Sequence, residues 1–267
     1  MLTFNDSEKP NIVELKGMHQ YYNNGTVRII EDLDFLIEDK PMQGQFIVIL
    51  GMSGCGKSTV LRYVAGLQQP TKGEILIKGE PRSAKHRVSM VFQQYSSLPW
   101  MSVLDNVALA LRYEGVSKSE RNDKAMEMIK LVGLEGHEKK YAQYPSLSGG
   151  QLQRVAIARS IISNPEILLM DEPFGALDVN TRLQMQDLLM KLWHEFHPTI
   201  IFVTHDISEA VYLGDDIYIM KSAPSKFVKH IPVDLPLQRD RATKRLPRFE
   251  ELVNEVEDAM VEVGKMG

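Results

Sequence analysis

Three things are scarce in this chain of 267 residues: cysteine, long apolar runs and an excess of charge of either sign. The single cysteine, Cys55, excludes an internal disulfide and is typical of proteins from a reducing compartment. No apolar run approaches the roughly 20 residues that a membrane-spanning helix needs, and residues 1–10 are polar rather than signal-like. The formal net charge of −4 lacks the overall basic character of nucleic-acid-binding proteins. These absences predict a soluble chain that needs another polypeptide for any membrane process.

The apolar residues that are present follow the pattern of an α/β protein. Continuous apolar runs at 46–50 and 167–170 are typical of strands that are buried on both faces. From about residue 95 to 164 the periodicity becomes helical, with a first helix expected over 103–111. We therefore predict a mainly parallel sheet interrupted by an inserted helical lobe. Further strands are expected at 13–15, 29–37, 74–77, 88–92, 199–203 and 217–220, and further helices at 58–66, 125–132, 151–162, 183–196 and 207–213.

The C-terminal segment has a different character. Residues 239–248 are basic, and an apolar stripe at helical spacing follows. We interpret this as a surface helix docked on the chain's own core, with docking of a partner or a regulator as the alternative. The stripe consists of Phe249, Leu252, Val253, Val256 and Met260.

Residues Gly51–Ser58 read Gly-Met-Ser-Gly-Cys-Gly-Lys-Ser, which fits the phosphate-loop pattern G-x-x-x-x-G-K-[ST]. A predicted strand leads into the loop and a predicted helix leaves it, so a purely structural glycine turn is disfavoured. Backbone N–H groups in such a loop point inward and hold an anion with the positive end of the helix. Lys57 is placed for the β- and γ-phosphates, Ser58 for Mg²⁺ and Thr59 for the α-phosphate. The loop residues expected to contact nucleotide are Gly51, Ser53, Gly54, Cys55, Gly56, Lys57, Ser58 and Thr59.

Polar side chains follow three other predicted strands where each strand ends. Asp171 and Glu172 end the run at 167–170, at the edge where α/β sheets bind ligands. Asp171 is suited to the Mg²⁺ shell, and Glu172 is suited to polarise a water that attacks the γ-phosphate. His205 leaves the strand at 199–203 and is a candidate to contact the γ-phosphate and orient that water. Gln93 ends the strand at 88–92 and is a neutral ligand for Mg²⁺ or water, with Gln94 as the alternative register.

A second anion-binding pattern lies at Leu147–Gln151, which reads Leu-Ser-Gly-Gly-Gln directly before a predicted helix. Ser148 is expected to cap that helix, and the glycines at 149 and 150 allow close approach by an anion. The capping and the anion-binding interpretations are compatible. One triphosphate does not need two such loops from one subunit, whereas two copies of the chain facing each other would use both.

These motifs, in this order, resemble the ATP-binding subunit of an ABC transporter over roughly residues 13–235. The resemblance implies a P-loop NTPase core with a mainly parallel sheet, an antiparallel β subdomain and an inserted α-helical lobe. It also implies ATP and Mg²⁺ as cofactors, with Ser58, Gln93 and Asp171 toward the metal. The family motifs are then the phosphate loop, the Q-loop glutamine Gln93, the signature Leu147–Gln151 and the switch histidine His205. The remaining implied contacts are Asp178 in the D-loop sequence Gly-Ala-Leu-Asp, the signature residues Ser148, Gly149, Gly150 and Gln151, and Tyr22 stacked on adenine, with Tyr21 as its alternative.

The same resemblance implies an organisation and a set of partners. Residues 11–94 and 165–235 would form the nucleotide-binding core, 95–164 the helical lobe and 236–267 a C-terminal helical extension of a single domain over 1–267. Each ATP would lie between the phosphate loop of one chain and Ser148–Gly150 of the other, in a head-to-tail homodimer or a heterodimer with a related chain. The dimer would act on an integral membrane permease, and indirectly on an extracytoplasmic solute-binding protein, from the cytoplasmic face of the inner membrane.

Three short segments are similar to the nitrate, sulfonate and taurine import group: Leu98-Pro99-Trp100, residues 173–178 and residues 231–236. Residues 96–101 would then meet the permease, although core packing explains Trp100 equally well. Two features depart from the family pattern. Met52 stands where proline is frequent, and residues 38–43 lengthen the turn before the phosphate loop.

Two other functions compete with an importer ATPase. A soluble ABC ATPase acting on nucleic acid or ribosomes usually carries two cassettes or a long coiled-coil insertion, and the sequence has neither. A regulatory protein that holds ATP without turnover conflicts with the presence of both Glu172 and His205. We therefore expect hydrolysis coupled to import and no nucleic-acid partner.

Overall fold

The computed structural model describes residues 11–23, 26–40, 44–94, 96–222 and 224–265. They form two compact units, one ending at residue 88 and resuming at 199, the other spanning 89–198. Within the described ranges, no helix combines the length and apolar character needed to cross a membrane. The strands are β1 (Asn11–Tyr22), β2 (Val27–Glu38), β3 (Gln45–Gly51), β4 (Lys72–Ile77), β5 (Glu80–Pro81), β6 (Val88–Val91), β7 (Ile167–Asp171), β8 (Thr199–Thr204), β9 (Asp216–Lys221) and β10 (Lys226–Pro232). The α-helices are α1 (Lys57–Ala65), α2 (Val103–Val107), α3 (Leu109–Tyr113), α4 (Lys118–Leu131), α5 (Gly149–Ile161), α6 (Val179–Phe196), α7 (Ile207–Leu213) and α8 (Pro247–Gly264).

The first unit contains the predicted parallel core. β3 is buried throughout and pairs in parallel with β8 on one side and β9 on the other. Burial on both faces is the reason that its sequence is a continuous apolar run. The carboxyl ends of these strands share one edge, because Leu50 lies opposite Thr204 and Gly51 opposite Met220. The phosphate loop and His205 both leave the sheet at this edge.

The same unit contains the antiparallel sheet, in the order β2-β1-β4-β5. β1 pairs with β2 on one side and β4 on the other, with shifts of register along both ladders. The predicted antiparallel β subdomain is therefore confirmed. β1 and β2 each extend beyond the predicted ranges of 13–15 and 29–37. The lengthened turn of residues 38–43 lies partly outside the described residues.

The second unit is mainly helical, with β6 and β7 as neighbouring strands. The helix expected over 103–111 is instead two short helices, α2 and α3, which meet at Ala108 because its ψ of −8° leaves the α-helical range. Ser117 caps the start of α4, because its hydroxyl accepts a hydrogen bond from the Glu120 N–H at 3.3 Å. Trp100 is 70% exposed, so the core-packing explanation for this residue is wrong.

The C-terminal segment docks on its own unit, as predicted. α8 packs against α7, β9 and β10 through a buried stripe that includes Leu252, Val256 and Ala259. Arg239 anchors the segment before α8: its side chain is 1% exposed and its Nη1 donates to the carbonyls of Tyr212 and Gly214 at 3.2 and 2.7 Å. This arginine looks like part of a solvated basic run in the sequence, yet it is buried in the structure.

Candidate nucleotide-binding site

The phosphate loop connects β3 to α1 through a tightly curled backbone. Gly56 precedes the helix with φ of +92°, a left-handed conformation that strains other residues. A Cβ at Gly51 would lie 2.6 Å from Cys55 Sγ and 2.6 Å from the Met220 carbonyl oxygen. Cys55 is completely buried, so its thiol fills the space beneath the loop rather than facing a ligand. The outer rim, with Met52, Ser53 and Gly54, is exposed.

Lys57 begins α1 and reaches back across the loop. Its Nζ donates to the carbonyl oxygens of Gly51 at 2.8 Å and Met52 at 3.0 Å, and the side chain is buried. Thr59 N–H donates to the Gly56 carbonyl at 3.0 Å, which closes the first turn. Ser58 and Thr59 are partly exposed. The Lys57 ammonium therefore lies against the loop backbone next to the start of α1, where a helix terminus favours an anion such as a polyphosphate.

Tyr22 ends β1 in the same unit and is 46% exposed. Its hydroxyl accepts a hydrogen bond from Gln68 Nε2 at 3.1 Å, which holds the ring from its edge. The neighbouring Tyr21 is more engaged, because its hydroxyl lies 2.7 Å from His19 Nδ1 and the Arg28 guanidinium lies over its ring. Of the two tyrosines, Tyr22 therefore has the more open face for a planar base.

His205 follows β8 and is exposed. The turn around it is fixed from both sides: Thr204 Oγ1 donates to Glu209 Oε2 at 2.6 Å, and Asp206 caps α7 by accepting from the Glu209 N–H at 2.9 Å. The backbone of His205 is therefore held while its imidazole faces outward at the carboxyl edge of the sheet.

In the second unit, β7 ends in the two predicted carboxylates. Asp171 is buried, whereas Glu172 is partly exposed and has φ of +43°, which is uncommon for a residue with a side chain. Gln93 Nε2 donates to Glu172 Oε2 at 3.4 Å. This contact distinguishes Gln93 from Gln94 and brings two of the sequence-predicted residues together. Strain at one residue between a buried strand and a turn is a common feature of functional sites.

The signature segment forms the start of α5 in the second unit. Ser148 caps the helix and forms a capping box with Gln151. A Cβ at Gly150 would lie 2.5 Å from Thr181 Cγ2, so a larger residue at this position would require the Thr181 side chain to move. Both polar atoms of the Gln151 side chain have partners: Oε1 accepts from the Ser148 N–H, and Nε2 lies next to His137 Nε2. The side chain therefore stabilises the start of α5.

Asp178 caps α6 by accepting from the Thr181 N–H at 3.0 Å. Hydrogen bonds from Thr181 lower the pKa of Asp178, so this carboxylate is charged at neutral pH. The predicted residues thus divide between the units. The first unit holds the phosphate loop, Tyr22 and His205, and the second holds Gln93, Asp171, Glu172, Ser148–Gln151 and Asp178.

The donors proposed for a metal are oxygen atoms from a hydroxyl, an amide and a carboxylate, which is the ligand type that Mg²⁺ prefers. Among the described residues, no group of three or more His, Cys, Asp or Glu side chains could hold a metal by itself. Sequence reasoning missed two contacts to site residues, Gln68 at Tyr22 and His137 at Gln151, because neither belongs to a local motif.

Comparisons with known proteins identify the family of the chain. The ABC transporter family profile matches residues 37–175. An ABC transporter ATP-binding protein of Methanocaldococcus jannaschii is 42% identical over 83% of this chain and 81% of its own length. The aliphatic sulfonates import ATP-binding protein SsuB of Bacillus cereus is 39% identical over 91% of this chain and 94% of its own. The taurine import ATP-binding protein TauB of Escherichia coli K12 is 41% identical, over 88% and 92%.

Solved structures give the same result for the fold. A dimeric, post-hydrolysis ATP-binding cassette bound to ADP and Pi superposes with a TM-score of 0.70 at 32% identity, covering 83% of this chain and 98% of that one. The dimeric structure of a bacterial ABC transporter cassette gives 0.71 at 33% identity, with the same coverage. The predicted ABC ATPase fold is therefore confirmed. With its phosphate loop, signature segment and strand-end carboxylates, this chain belongs to the ABC transporter family and is an ATPase of that family.

Proposed function

We propose that this chain is the ATP-hydrolysing subunit of an importer that moves a small solute such as nitrate, a sulfonate or taurine through a separate permease. The observation that carries the proposal is the presence of two anion-binding segments in one chain, the phosphate loop and the capped start of α5. The similarity to proteins named for aliphatic sulfonate and taurine import supports the import direction and the solute class.

ATP would bind with adenine on Tyr22 and its phosphates in the phosphate loop, where Lys57 neutralises the β- and γ-phosphates. Ser58, Gln93 and Asp171 would hold Mg²⁺. When bound, the metal ion neutralises phosphate oxygens as charge develops on them. The open face of Tyr22 and the ammonium held across the loop support these assignments.

Hydrolysis needs a base and a group that orients the attacking water. Glu172 is our candidate base, because its carboxylate is partly exposed at the end of β7 and is contacted by Gln93. His205 would contact the γ-phosphate and orient the water from the carboxyl edge of the parallel strands. A base placed within hydrogen-bond reach of water typically contributes about 10²–10⁴-fold to the rate.

Two chains would close head to tail on ATP, as a homodimer or a heterodimer with a related chain. Ser148, Gly149 and Gly150 of one chain would face the γ-phosphate held by the other, and Asp178 would lie at the shared boundary. Closure on ATP and opening after hydrolysis would then drive the permease between two access states. The dimeric state of the similar cassettes supports this arrangement.

The permease would dock near residues 96–101. Trp100 is 70% exposed in this segment, so its side chain is accessible to a partner, and tryptophan is enriched in protein–protein interfaces. We accordingly place the chain at the cytoplasmic face of the inner membrane, bound peripherally to the permease, with a solute-binding protein acting from the other side. Within the single domain, we propose 11–94 and 165–235 as nucleotide-binding core, 95–164 as helical lobe and 236–267 as C-terminal extension.

The experiment is purification of the tagged chain from its native membrane in mild detergent, followed by mass spectrometry of the proteins that accompany it. A polytopic permease in near-stoichiometric amount is the expected result, and Trp100→Ala should reduce it more than Tyr113→Ala, a control at another exposed aromatic. Ribosomal or nucleic-acid-associated proteins in its place would favour the soluble ATPase alternative and overturn the importer assignment.

A further inference from the structure

The side chain of Gln151 is held between the start of its own helix and a histidine from the preceding loop. Its Oε1 accepts from the Ser148 N–H at 2.9 Å, while Ser148 Oγ accepts from the Gln151 N–H at 3.3 Å. Its Nε2 lies 3.0 Å from Nε2 of His137. Because the Ser148 N–H requires an acceptor, the amide oxygen must face Ser148, and the NH₂ group therefore faces the imidazole. An amide NH₂ can only donate.

His137 must then offer an acceptor at Nε2. Its other ring nitrogen, Nδ1, lies 3.3 Å from the carbonyl oxygen of Glu135, which can only accept. A neutral imidazole with its proton on Nδ1 satisfies both neighbours at once. The opposite tautomer satisfies neither, and the doubly protonated ring places an N–H against the Gln151 NH₂. If the Gln151 amide were rotated by 180° so that its oxygen faced a protonated ring, its NH₂ group would face the Ser148 N–H. Two donors would then meet without an acceptor.

We propose that His137 is a positioning residue for the signature segment: its neutral, Nδ1-protonated ring fixes Gln151, and Gln151 fixes the backbone of Ser148. The inference rests on the proposed function, in which Ser148–Gly150 contact the ATP bound by a second chain. A proton added at Nε2 removes one support of the helix start, so closure of the dimer on ATP depends on the protonation of His137.

Other ionisable groups lie on the elements around this loop. The carboxylate of Glu138 accepts a hydrogen bond from the Gly136 N–H at 2.7 Å. Arg154, one turn along α5, donates to the Val132 carbonyl at 2.6 Å. Besides His137, the ionisable side chains on the loop, α5 and the adjoining start of α2 are Glu135, Glu138, Lys139, Lys140, Tyr141, Tyr144, Arg154, Arg159 and Asp105.

The first test reads the tautomer directly and does not depend on activity. Two-bond ¹H–¹⁵N correlation spectra of the ¹⁵N-labelled chain at about pH 8 should show one histidine with its proton on Nδ1, a minority form for free imidazole. That signal should disappear in His137→Gln and persist in His86→Gln, the matched control in the other unit. An Nε2-protonated His137 would overturn the proposal, whatever the activity of the chain.

The second test compares ATP hydrolysis by wild type, His137→Gln and His137→Ala. Glutamine places a permanently neutral acceptor near the position of Nε2, so we expect near wild-type turnover at about pH 8 and a variant-to-wild-type ratio that rises toward pH 6. His137→Ala should lose about tenfold in kcat while single-chain ATP binding is unchanged, as for a misplaced catalytic element.

A flat ratio across this pH range would refute the role of the proton. Urea unfolding would reveal whether the alanine variant fails to fold. In that case the pH dependence of the His137→Gln to wild-type hydrolysis ratio alone tests the proposal. Failure of the proposed contact between Ser148–Gly150 and the ATP of a second chain would look different, because Ser148→Arg would then hydrolyse ATP like wild type while the tautomer spectrum remained as expected.

Discussion

Replacing Glu172 by Gln tests the assignment of the catalytic base with the smallest possible change. The substitution preserves the size of the side chain, and an amide oxygen can still accept the 3.4 Å hydrogen bond from Gln93 Nε2. The side chain is partly exposed, so we expect the free energy of unfolding to change by less than about 1 kcal/mol. The substitution removes the negative charge of the carboxylate and, with it, the capacity to take a proton from water.

The loss of a general base corresponds to about 10²–10⁴-fold in rate, or roughly 2.7–5.4 kcal/mol in activation free energy. Phosphate release per chain should therefore fall at least about 100-fold, while binding of a fluorescent ATP analogue stays within a factor of about two. Because ATP then persists in the closed state, Glu172→Gln should also accumulate an ATP-bound dimer in sedimentation velocity.

The matched control is Glu127→Gln on the exposed face of α4, which should hydrolyse ATP like wild type. Turnover of Glu172→Gln within a few-fold of wild type would remove Glu172 as the base. Loss of ATP binding together with turnover would mean that the substitution damages the fold, contrary to the isosteric argument.

The remaining predictions concern the second anion site and two structural features. Ser148→Arg should keep single-chain ATP binding and abolish hydrolysis, and continued ATP-driven dimerisation in sedimentation would contradict the head-to-tail arrangement. Gly73→Ala should cost more than about 3 kcal/mol in urea unfolding, because its φ is +108° and a Cβ would lie 2.6 Å from the Gly17 carbonyl oxygen. Gly79→Ala, with positive φ but open space, should cost only about 1–2 kcal/mol, and equal costs would show that the clash does not matter. Arg239→Met should cost about 3–5 kcal/mol, because it leaves Asp215 and two carbonyls without their buried partner, and Arg245→Met is the exposed control.

Much of the fold and the motif positions follows from local sequence. The phosphate loop is predictable because a buried strand, a glycine turn and a helix follow one another within a few residues. Ser148 is predictable as a helix cap for the same reason. Even the C-terminal helix is visible as an apolar stripe.

The features that the sequence does not reveal depend on contacts between distant segments. β10 alternates irregularly between buried and exposed residues, so it has no clear strand period, and its partner β9 fixes it. His137 is separated from Gln151 by a loop, and nothing in the spacing indicates that their side chains meet. Arg239 lies in a basic run, and only the fold supplies the carbonyl oxygens that bury it.

In the proposed dimer, each ATP is shared between the phosphate loop of one chain and the signature segment of the other. Mixing Lys57→Ala chains with Ser148→Arg chains tests this sharing. The first variant has a defective phosphate loop and the second a defective signature, so neither hydrolyses ATP alone, yet a mixed dimer contains one intact pair. We expect mixing to restore hydrolysis. If the mixture stays inactive while each variant remains folded, the two segments do not complete one site across chains.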